Sequence, residues 1–157
     1  MFQPCVILHP TDLSESSRPA YSVGVDLARQ YGAKLLVLHV AETLGPENVT
    51  YGEAVSQLEP NSYQQRLEDD LRRTLPPAPG VAIEYLLVEG DPVAEINRVA
   101  QEHECDLMVI TTHGRTGLSR LLTGSTAEKL VRLAPCPLLI VKFPPAAAPQ
   151  EGGSHRH

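Results

Sequence analysis

Five short, mostly apolar runs separated by amphipathic stretches dominate the hydropathy pattern of this chain. Each run is four to eight residues long. Continuous apolar runs of this length are typical of parallel strands that are buried on both faces. We therefore predict five strands, the first of them ended by Pro10. They span Cys5–His9, Leu35–Val40, Val81–Val88, Leu107–Ile110 and Leu138–Val141.

The first stretch between the runs carries apolar residues at helical spacing. We predict that this helix starts near Ser16, because capping residues precede it and Pro19 is tolerated only in a first turn. Gly32 is expected to end the helix. The predicted core face consists of Ala20, Val23, Leu27, Ala28 and Tyr31.

Three further helices are predicted along the chain. Apolar residues four apart indicate an amphipathic helix from Tyr63 to Leu75. Asp91 is suited to be the N-cap of the next helix, with Pro92 at its first position. The segment Ser125–Glu128 reads as an S-x-x-E capping box that opens the last helix.

Strands and helices alternate throughout this pattern. Such alternation predicts an α/β fold in which helices cover both faces of an open parallel sheet. We assign residues 1–142 to this one domain. The connection 41–60 is long for a compact domain and is a candidate mobile loop over a site. Residues 143–157 are rich in Pro, Ala and Gly and are predicted to form a disordered C-terminal tail.

The composition restricts what this domain can bind. Only 4% of the residues are aromatic and the formal net charge is −6. Few rings are available to stack on bases, and an acidic chain lacks the basic face that a phosphate backbone requires. We therefore predict no nucleic-acid partner. Any anion must be bound locally, by backbone N–H groups and a few placed cations.

The cysteines bear on the compartment of the protein, and the histidines bear on metal binding. No signal peptide or membrane-spanning segment is recognisable, and the three cysteines Cys5, Cys105 and Cys136 form no C-x-x-C pair. These features favour reduced thiols in a cytoplasmic protein without a membrane partner. His9 and His39 end two strands, but no third ligand with metal spacing is evident, so we predict no metal site.

Two strand ends carry most of the polar chemistry. Ligands of open α/β sheets bind outside the carboxyl ends of the strands, where the strand order reverses. If the first and fourth strands are neighbours, these two ends face each other across such a crevice. They contribute Pro10, Thr11 and Asp12 on one side, and Ile110, Thr111, Thr112, His113, Gly114, Arg115 and Gly117 on the other.

The segment before the last helix has two interpretations. Gly124, Ser125 and Thr126 follow a glycine-containing loop, and a helix N-terminus with exposed N–H groups binds phosphate. The same residues also suit a tight turn and a helix cap without any ligand. The spacing is not that of a Walker A motif, and its lysine is missing. Nucleotide binding is therefore compatible with the sequence, whereas fast hydrolysis is not.

Several motifs of the sequence resemble those of a known family, the universal stress proteins. The resemblance covers about residues 5–142 and rests on several motifs in the same order. They are Ile7–Ser14, Leu38–Val40, Gly90–Pro92, Thr112–Leu118, Gly124–Ser125 and Ala134–Val141. It implies a five-stranded parallel sheet of order 3-2-1-4-5, a Rossmann-like fold of the adenine nucleotide alpha hydrolase type. The first and fourth strands are neighbours in that order.

The resemblance also implies a ligand. ATP-binding members hold the adenine near the positions of Asp12 and Val40, and their phosphates and ribose lie along a G-x-x-G-x9-G-[S/T] loop. Gly114 and Gly124 match two glycines of that loop, with Ser125 and Thr126 as phosphate-side donors. The first glycine is replaced by Thr111, whose side chain could crowd the ribose or donate its hydroxyl. ATP, with Mg²⁺ as an option, is thus the implied cofactor.

Several roles stay open at the level of sequence. Asp12 suits either an adenine amino group or a turn at a helix start. His113 suits a phosphate contact, a general base or a structural role, and Arg115 suits either a phosphate contact or exposure to solvent. Val40 and Ile110 are expected to form aliphatic walls for the adenine. The family pairs strand 138–142 across a twofold axis, which implies a homodimer. We expect a regulatory stress-response protein that binds ATP; the alternatives are a nucleotide-free dimerising protein and a slow ATPase.

Overall fold

The computed structural model describes residues 1–41, 60–112 and 124–142. Five strands lie within these ranges. They are β1 (Val6–Thr11), β2 (Lys34–Ala41), β3 (Ala82–Glu89), β4 (Leu107–Thr112) and β5 (Leu138–Lys142). The helices are α1 (Arg18–Tyr31), α2 (Pro60–Thr74), α3 (Pro92–Glu102) and α4 (Gly124–Leu133), and a 3-10 turn, Glu15–Ser17, precedes α1.

The strands form one parallel sheet of order β3-β2-β1-β4-β5. This confirms the α/β class and the order that the family resemblance implied. The chain moves outward from β1 to β3 on one side, then returns to the centre and adds β4 and β5 on the other. The strand order therefore reverses between β1 and β4, and this is the point at which a crevice for ligands is expected.

Helices cover the two faces of the sheet in pairs. Side chains of alternate strand residues such as Leu36, Leu38 and Ile110 pack with α3 and α4 in one apolar cluster. Residues one step along, such as Ile7 and Val37, pack with α1 and the end of α2 in a second cluster. We call these the α3/α4 face and the α1/α2 face. Burial on both faces explains why the strands read as continuous apolar runs.

β1 is longer than the sequence indicated, because Pro10 does not end it. The carbonyl of Cys5 accepts from the Lys34 N–H of β2, and that of Val6 accepts from the Asp106 N–H beside β4. Backbone groups of successive residues face alternate neighbouring strands, so those of Pro10 face β4. Proline has no N–H, and Pro10 therefore donates no backbone hydrogen bond to β4. The register with β4 stops at Leu8, whereas the register with β2 continues to Thr11. β1 thus tolerates the proline by losing pairing on one side only.

The core face of α1 differs from the predicted one. Ala20 and Ala28 are buried as expected, and Val23 and Leu27 pack, partly buried, against the same cluster. Tyr31, however, is 41% exposed, and Tyr21, Gly24 and Val25 are buried as well. Gly24 faces β2, where an added Cβ would come within 3.3 Å of a Leu35 methyl group. A small residue at this point lets α1 lie close to the sheet. Gly32 ends the helix at a φ of 64°, as predicted.

The starts of the last two helices show one prediction confirmed and one wrong. The side chain of Asp91 accepts from the N–H of Ala94 at 3.0 Å, so Asp91 caps α3 as expected. The last helix begins at Gly124, one residue before the predicted cap. Ser125 therefore lies inside the first turn of α4 and is not its N-cap.

Two tyrosines hold the end of α2 against the sheet. The hydroxyl of Tyr21 donates to the carbonyl of Pro76, and that of Tyr85 donates to the carbonyl of Leu75 at 2.6 Å. The guanidinium of Arg72 lies 4.6 Å from the centre of the Tyr85 ring. Burial raises the pKa of Tyr85 to about 12, so its hydroxyl keeps its proton and remains a donor.

The three cysteines lie in different environments. Cys5 is exposed, Cys105 is buried and Cys136 is half-buried, and none forms a disulfide. Burial raises the pKa of Cys105 to about 12, which disfavours the reactive thiolate. Among the helices in the described ranges, none is both long and apolar enough to cross a membrane.

Candidate nucleotide site

The predicted site residues of β1, β2 and β4 lie at one edge of the sheet. Thr11 ends β1, Val40 is the last residue but one of β2, and Thr112 ends β4. Asp12 follows β1 directly, at the strand-order reversal. The sheet thus brings the candidates from three separate segments to its carboxyl edge.

Asp12 organises a tight turn between β1 and the 3-10 turn. Its Oδ1 accepts from the Ser14 N–H at 2.9 Å, from the Ser14 hydroxyl at 2.5 Å and from the Ser17 hydroxyl at 3.2 Å. Leu13, between these residues, has a φ of 68°, which is rare for a branched side chain. The turn role that the sequence left open for Asp12 is therefore present, and these contacts fix where its carboxylate lies.

Thr11 secures the same turn from the strand side. Its hydroxyl donates to the Ser17 hydroxyl at 2.8 Å and accepts from the Leu13 N–H at 3.1 Å. Its carbonyl accepts from Nδ1 of His39 at 2.9 Å; a carbonyl only accepts, so this nitrogen carries the proton. Sequence reasoning assigned no such role to His39. Backbone strain held by several hydrogen bonds is common where a protein positions a ligand.

His9 is a buried histidine of the core and is satisfied on one side. Its Nδ1 donates to the carbonyl of Val109 on β4 at 2.9 Å. Pro10 has no N–H to offer that strand, and the ring of His9 supplies a donor in its place. Burial lowers the pKa of His9 from 6.5 to about 4, although the bond to Val109 and the charge of Asp12 act in the opposite direction. The ring is therefore neutral at physiological pH.

Thr111, which replaces the first glycine of the family motif, is fully buried. It follows Leu107 and Val109 on alternate positions of β4, and both of these pack on the α1/α2 face. Its side chain is thus expected on that face, inside the protein. Its hydroxyl has no hydrogen-bond partner in the described part of the chain.

Val40 and Ile110 lie on the opposite face, in the cluster beneath α3 and α4. Their exposed fractions are 2% and 0%, so both side chains belong to the core. The expected aliphatic walls are therefore already occupied by neighbouring protein side chains. Because their side chains are buried, these two residues can contact a ligand at the carboxyl ends of β2 and β4 only through their backbone groups.

Part of the predicted phosphate loop lies outside the described residues. His113, Gly114, Arg115 and Gly117 belong to that part, as does most of the long connection 41–60 and the predicted tail 143–157. For Thr112, Gly124, Ser125 and Thr126 the structure gives the backbone, in β4 and in the first turn of α4. A search of the described ranges for three or more clustered His, Cys, Asp or Glu side chains able to hold a metal ion finds none.

The backbone of α4 supplies the chemistry that an anion requires. The helix has ten residues and starts with Gly-Ser-Thr. The N–H groups of a first turn have no partners within their own helix, and the helix dipole favours negative charge there. The Asp12 turn follows the end of β1, and α4 follows β4 along the chain. A small molecule with a polar base and a negatively charged group matches these two chemistries.

Comparison with known proteins identifies the family. The model of the Universal stress protein family matches residues 6–142. Universal stress protein MJ0531 of Methanocaldococcus jannaschii is 33% identical over 141 residues, which cover 88% of this chain and 82% of that protein. A universal stress protein of Thermus aquaticus is also 33% identical, over 139 residues that cover 87% of this chain and 97% of that protein.

Solved structures agree with this relationship. The structure of MJ0577, a universal stress protein of Methanocaldococcus jannaschii, matches with a TM-score of 0.71 at 22% identity and covers 93% of this chain and 100% of that one. A universal stress protein in complex with cAMP matches with a TM-score of 0.54 at 23% identity, over 90% and 99% of the two chains. From its motifs, its strand order and these relatives, the chain belongs to the universal stress protein family.

Proposed function

We propose that this protein binds an adenine nucleotide, with ATP as the ligand, at the carboxyl ends of β1 and β4. One observation carries the proposal: the Asp12 turn, held by four hydroxyl and N–H contacts around a residue at φ 68°, lies where the strand order reverses. Crevices of this kind are the usual ligand sites of open α/β sheets. A related protein binds cAMP, which belongs to the same class of ligand.

The proposed contacts divide between the two ends of the nucleotide. Asp12 and the backbone at Val40 contact the adenine, with Pro10, Thr11 and Ile110 as the floor at the strand ends. The first turn of α4, from Gly124 through Ser125 to Thr126, holds the phosphates. Thr112, His113, Gly114, Arg115 and Gly117 are proposed on the phosphate and ribose side from the family motif. Mg²⁺ would accompany the phosphates and neutralise part of their charge.

The placement of Thr111 supports binding in spite of the altered motif. Its neighbours at alternate positions of β4 pack on the α1/α2 face, and the residue is fully buried. A side chain directed into the protein leaves the carboxyl ends of β1 and β4 open to a ligand. The replacement of the first glycine therefore does not require that the nucleotide site is lost.

We also propose that the protein is a homodimer that pairs through strand 138–142. β5 is an edge strand of the sheet, and its Leu139 and Ile140 are 37% and 42% exposed. An apolar edge with unpaired backbone groups favours pairing with a second strand. We propose that this dimer acts in the cytoplasm in a regulatory stress response and is not a dedicated enzyme.

Two measurements test the nucleotide proposal. Mass spectrometry of small molecules released from protein purified without added nucleotide should find an adenine nucleotide. Calorimetry with ATP, with and without Mg²⁺, should give saturable binding. Asp12→Asn keeps an acceptor oxygen for the turn but loses the charge of the carboxylate proposed to contact the adenine, so this variant should bind ATP more weakly. Asp26→Asn, which removes an exposed carboxylate of α1, is the matched control. If no adenine nucleotide co-purifies and ATP gives no binding heat, the proposal is refuted.

A further inference from the structure

Four fully buried polar side chains in the described ranges gather in one place. They are His9, Thr11, Ser17 and Thr111, and we call them the buried polar cluster. His9 and Thr11 belong to β1, Thr111 to the end of β4, and Ser17 to the turn that leads into α1. The centre of the His9 ring lies 6.2 Å from that of Tyr21 on α1, which places His9 on the α1/α2 face. Thr11 and Thr111 follow at alternate positions of their strands.

Most polar atoms of the cluster have partners. The hydroxyls of Thr11 and Ser17 are 2.8 Å apart and bond to each other, and Nδ1 of His9 donates to the Val109 carbonyl. Two atoms stand out: Nε2 of His9 and Oγ1 of Thr111 are buried and have no partner among the described residues. Buried polar atoms in native proteins nearly always have a partner, either a protein group or an ordered water molecule.

The two atoms are chemically complementary. Because Nδ1 of His9 carries the proton that is donated to Val109, Nε2 of the neutral ring is an acceptor. The Thr111 hydroxyl can donate one hydrogen bond and accept others. A water molecule can donate to Nε2 and accept from the Thr111 hydroxyl at the same time. The second proton of the water can be donated to the Thr11 hydroxyl, which accepts one other hydrogen bond among the described residues, from the Leu13 N–H.

The spacing of the strands suits a single bridging molecule. Continuation of the Ile7–Leu107 and Leu8–Met108 pairs places His9 opposite Val109, two residues before Thr111. Neighbouring strands are about 4.8 Å apart with a rise of about 3.3 Å per residue, so the two backbone positions are about 8 Å apart. The ring of His9 already reaches from β1 to the Val109 carbonyl of β4, so the gap to the Thr111 hydroxyl is shorter than the separation of the two backbone positions.

We propose that the buried polar cluster binds one internal water molecule, which joins Nε2 of His9 to the hydroxyl of Thr111. The water would connect β1 to β4 beyond Leu8, where Pro10 removes the regular backbone pairing. It would also give Thr111 a role in this chain: its hydroxyl serves the interior of the protein. Thr111 is then a positioning residue for the end of β4. This inference does not depend on the proposed nucleotide.

A crystal structure at high resolution tests the site in the unmodified protein. The proposal predicts one density peak within about 2.7–3.2 Å of both Nε2 of His9 and Oγ1 of Thr111. A direct bond between those two atoms, or a cavity without density, would overturn it. This test requires no variant and therefore does not depend on how a substitution folds.

A double-mutant cycle tests whether the two atoms act together. Thr111→Val keeps the shape and removes the hydroxyl, Thr111→Ser keeps the hydroxyl as the control, and His9→Asn keeps a donor for Val109 but removes Nε2. We expect Thr111→Val to raise the equilibrium constant for unfolding about 5- to 10-fold in wild type and less than 2-fold in His9→Asn. Equal effects in both backgrounds, or an equal loss in Thr111→Ser, would contradict the bridge.

Discussion

The neutral, buried ring of His9 predicts that this protein loses stability in mild acid. The pKa of His9 is 6.5 in an unfolded chain and about 4 in the folded protein. Because the folded pKa is lowered, protons bind preferentially to the unfolded state. The contribution of His9 is fully present above pH 6.5 and is lost progressively as the pH falls towards 4.

The size of the effect follows from the two pKa values. A difference of one unit corresponds to about 1.4 kcal/mol, so the complete loss is about 3 kcal/mol. Between pH 7.5 and pH 5.0 the expected loss is about 2 kcal/mol, because most of that interval lies between the two pKa values. The charge of Asp12 and the bond to Val109 are already included, since both raise the folded pKa.

Urea unfolding at several pH values measures this loss. His9→Asn is the informative variant, because its amide can still donate to the Val109 carbonyl but does not titrate. The difference between wild type and variant, taken at each pH, removes the contribution of the carboxylates that both proteins share. If wild type and His9→Asn lose the same stability between pH 7.5 and 5.0, protonation of His9 does not destabilise the protein.

Three further predictions concern the site, the core and the edge strand. Thr111→Gly restores the family motif. It should lower the free energy of unfolding by about 1–2 kcal/mol and change the ATP affinity measured by calorimetry less than about threefold. A tenfold gain in affinity would show that the Thr111 side chain reaches the crevice. Tyr85→Phe removes the hydrogen bond to the Leu75 carbonyl and should cost about 1 kcal/mol in urea unfolding, and no loss would show that the bond contributes nothing. Ile140→Lys should convert the proposed dimer to a monomer in light scattering, whereas Leu133→Lys, on the exposed side of α4, should not; a wild-type monomer at micromolar concentration would refute the dimer.

Much of the fold could be read from local patterns. The five strands appear as apolar runs because the sheet is covered on both faces, and α3 starts where Asp91 and Pro92 indicate. These features depend on short-range chemistry that the sequence states directly. The strand order could be predicted only from the family resemblance, because periodicity alone does not tell which strands are neighbours.

The details of the site depend on contacts between distant segments. Pro10 remains within β1 because only one of its two neighbouring strands needs a donor there, and the ring of His9 supplies that donor. The left-handed backbone of Leu13 is held by Thr11 and leaves no signal in residue type. The direction of the Thr111 side chain follows from its position in β4. None of these features follows from the spacing of motifs.

Amide chemical-shift mapping with ATP shows whether a nucleotide binds at the carboxyl ends of β1 and β4. We expect saturable shift changes at Asp12, Val40 and the first turn of α4, with the opposite edge of the sheet unaffected. Lys34 and Glu84, which form an ion pair at that opposite edge, are internal references. Shift changes confined to the Lys34 edge, or no changes at millimolar ATP, would show that no nucleotide binds at the carboxyl ends of β1 and β4.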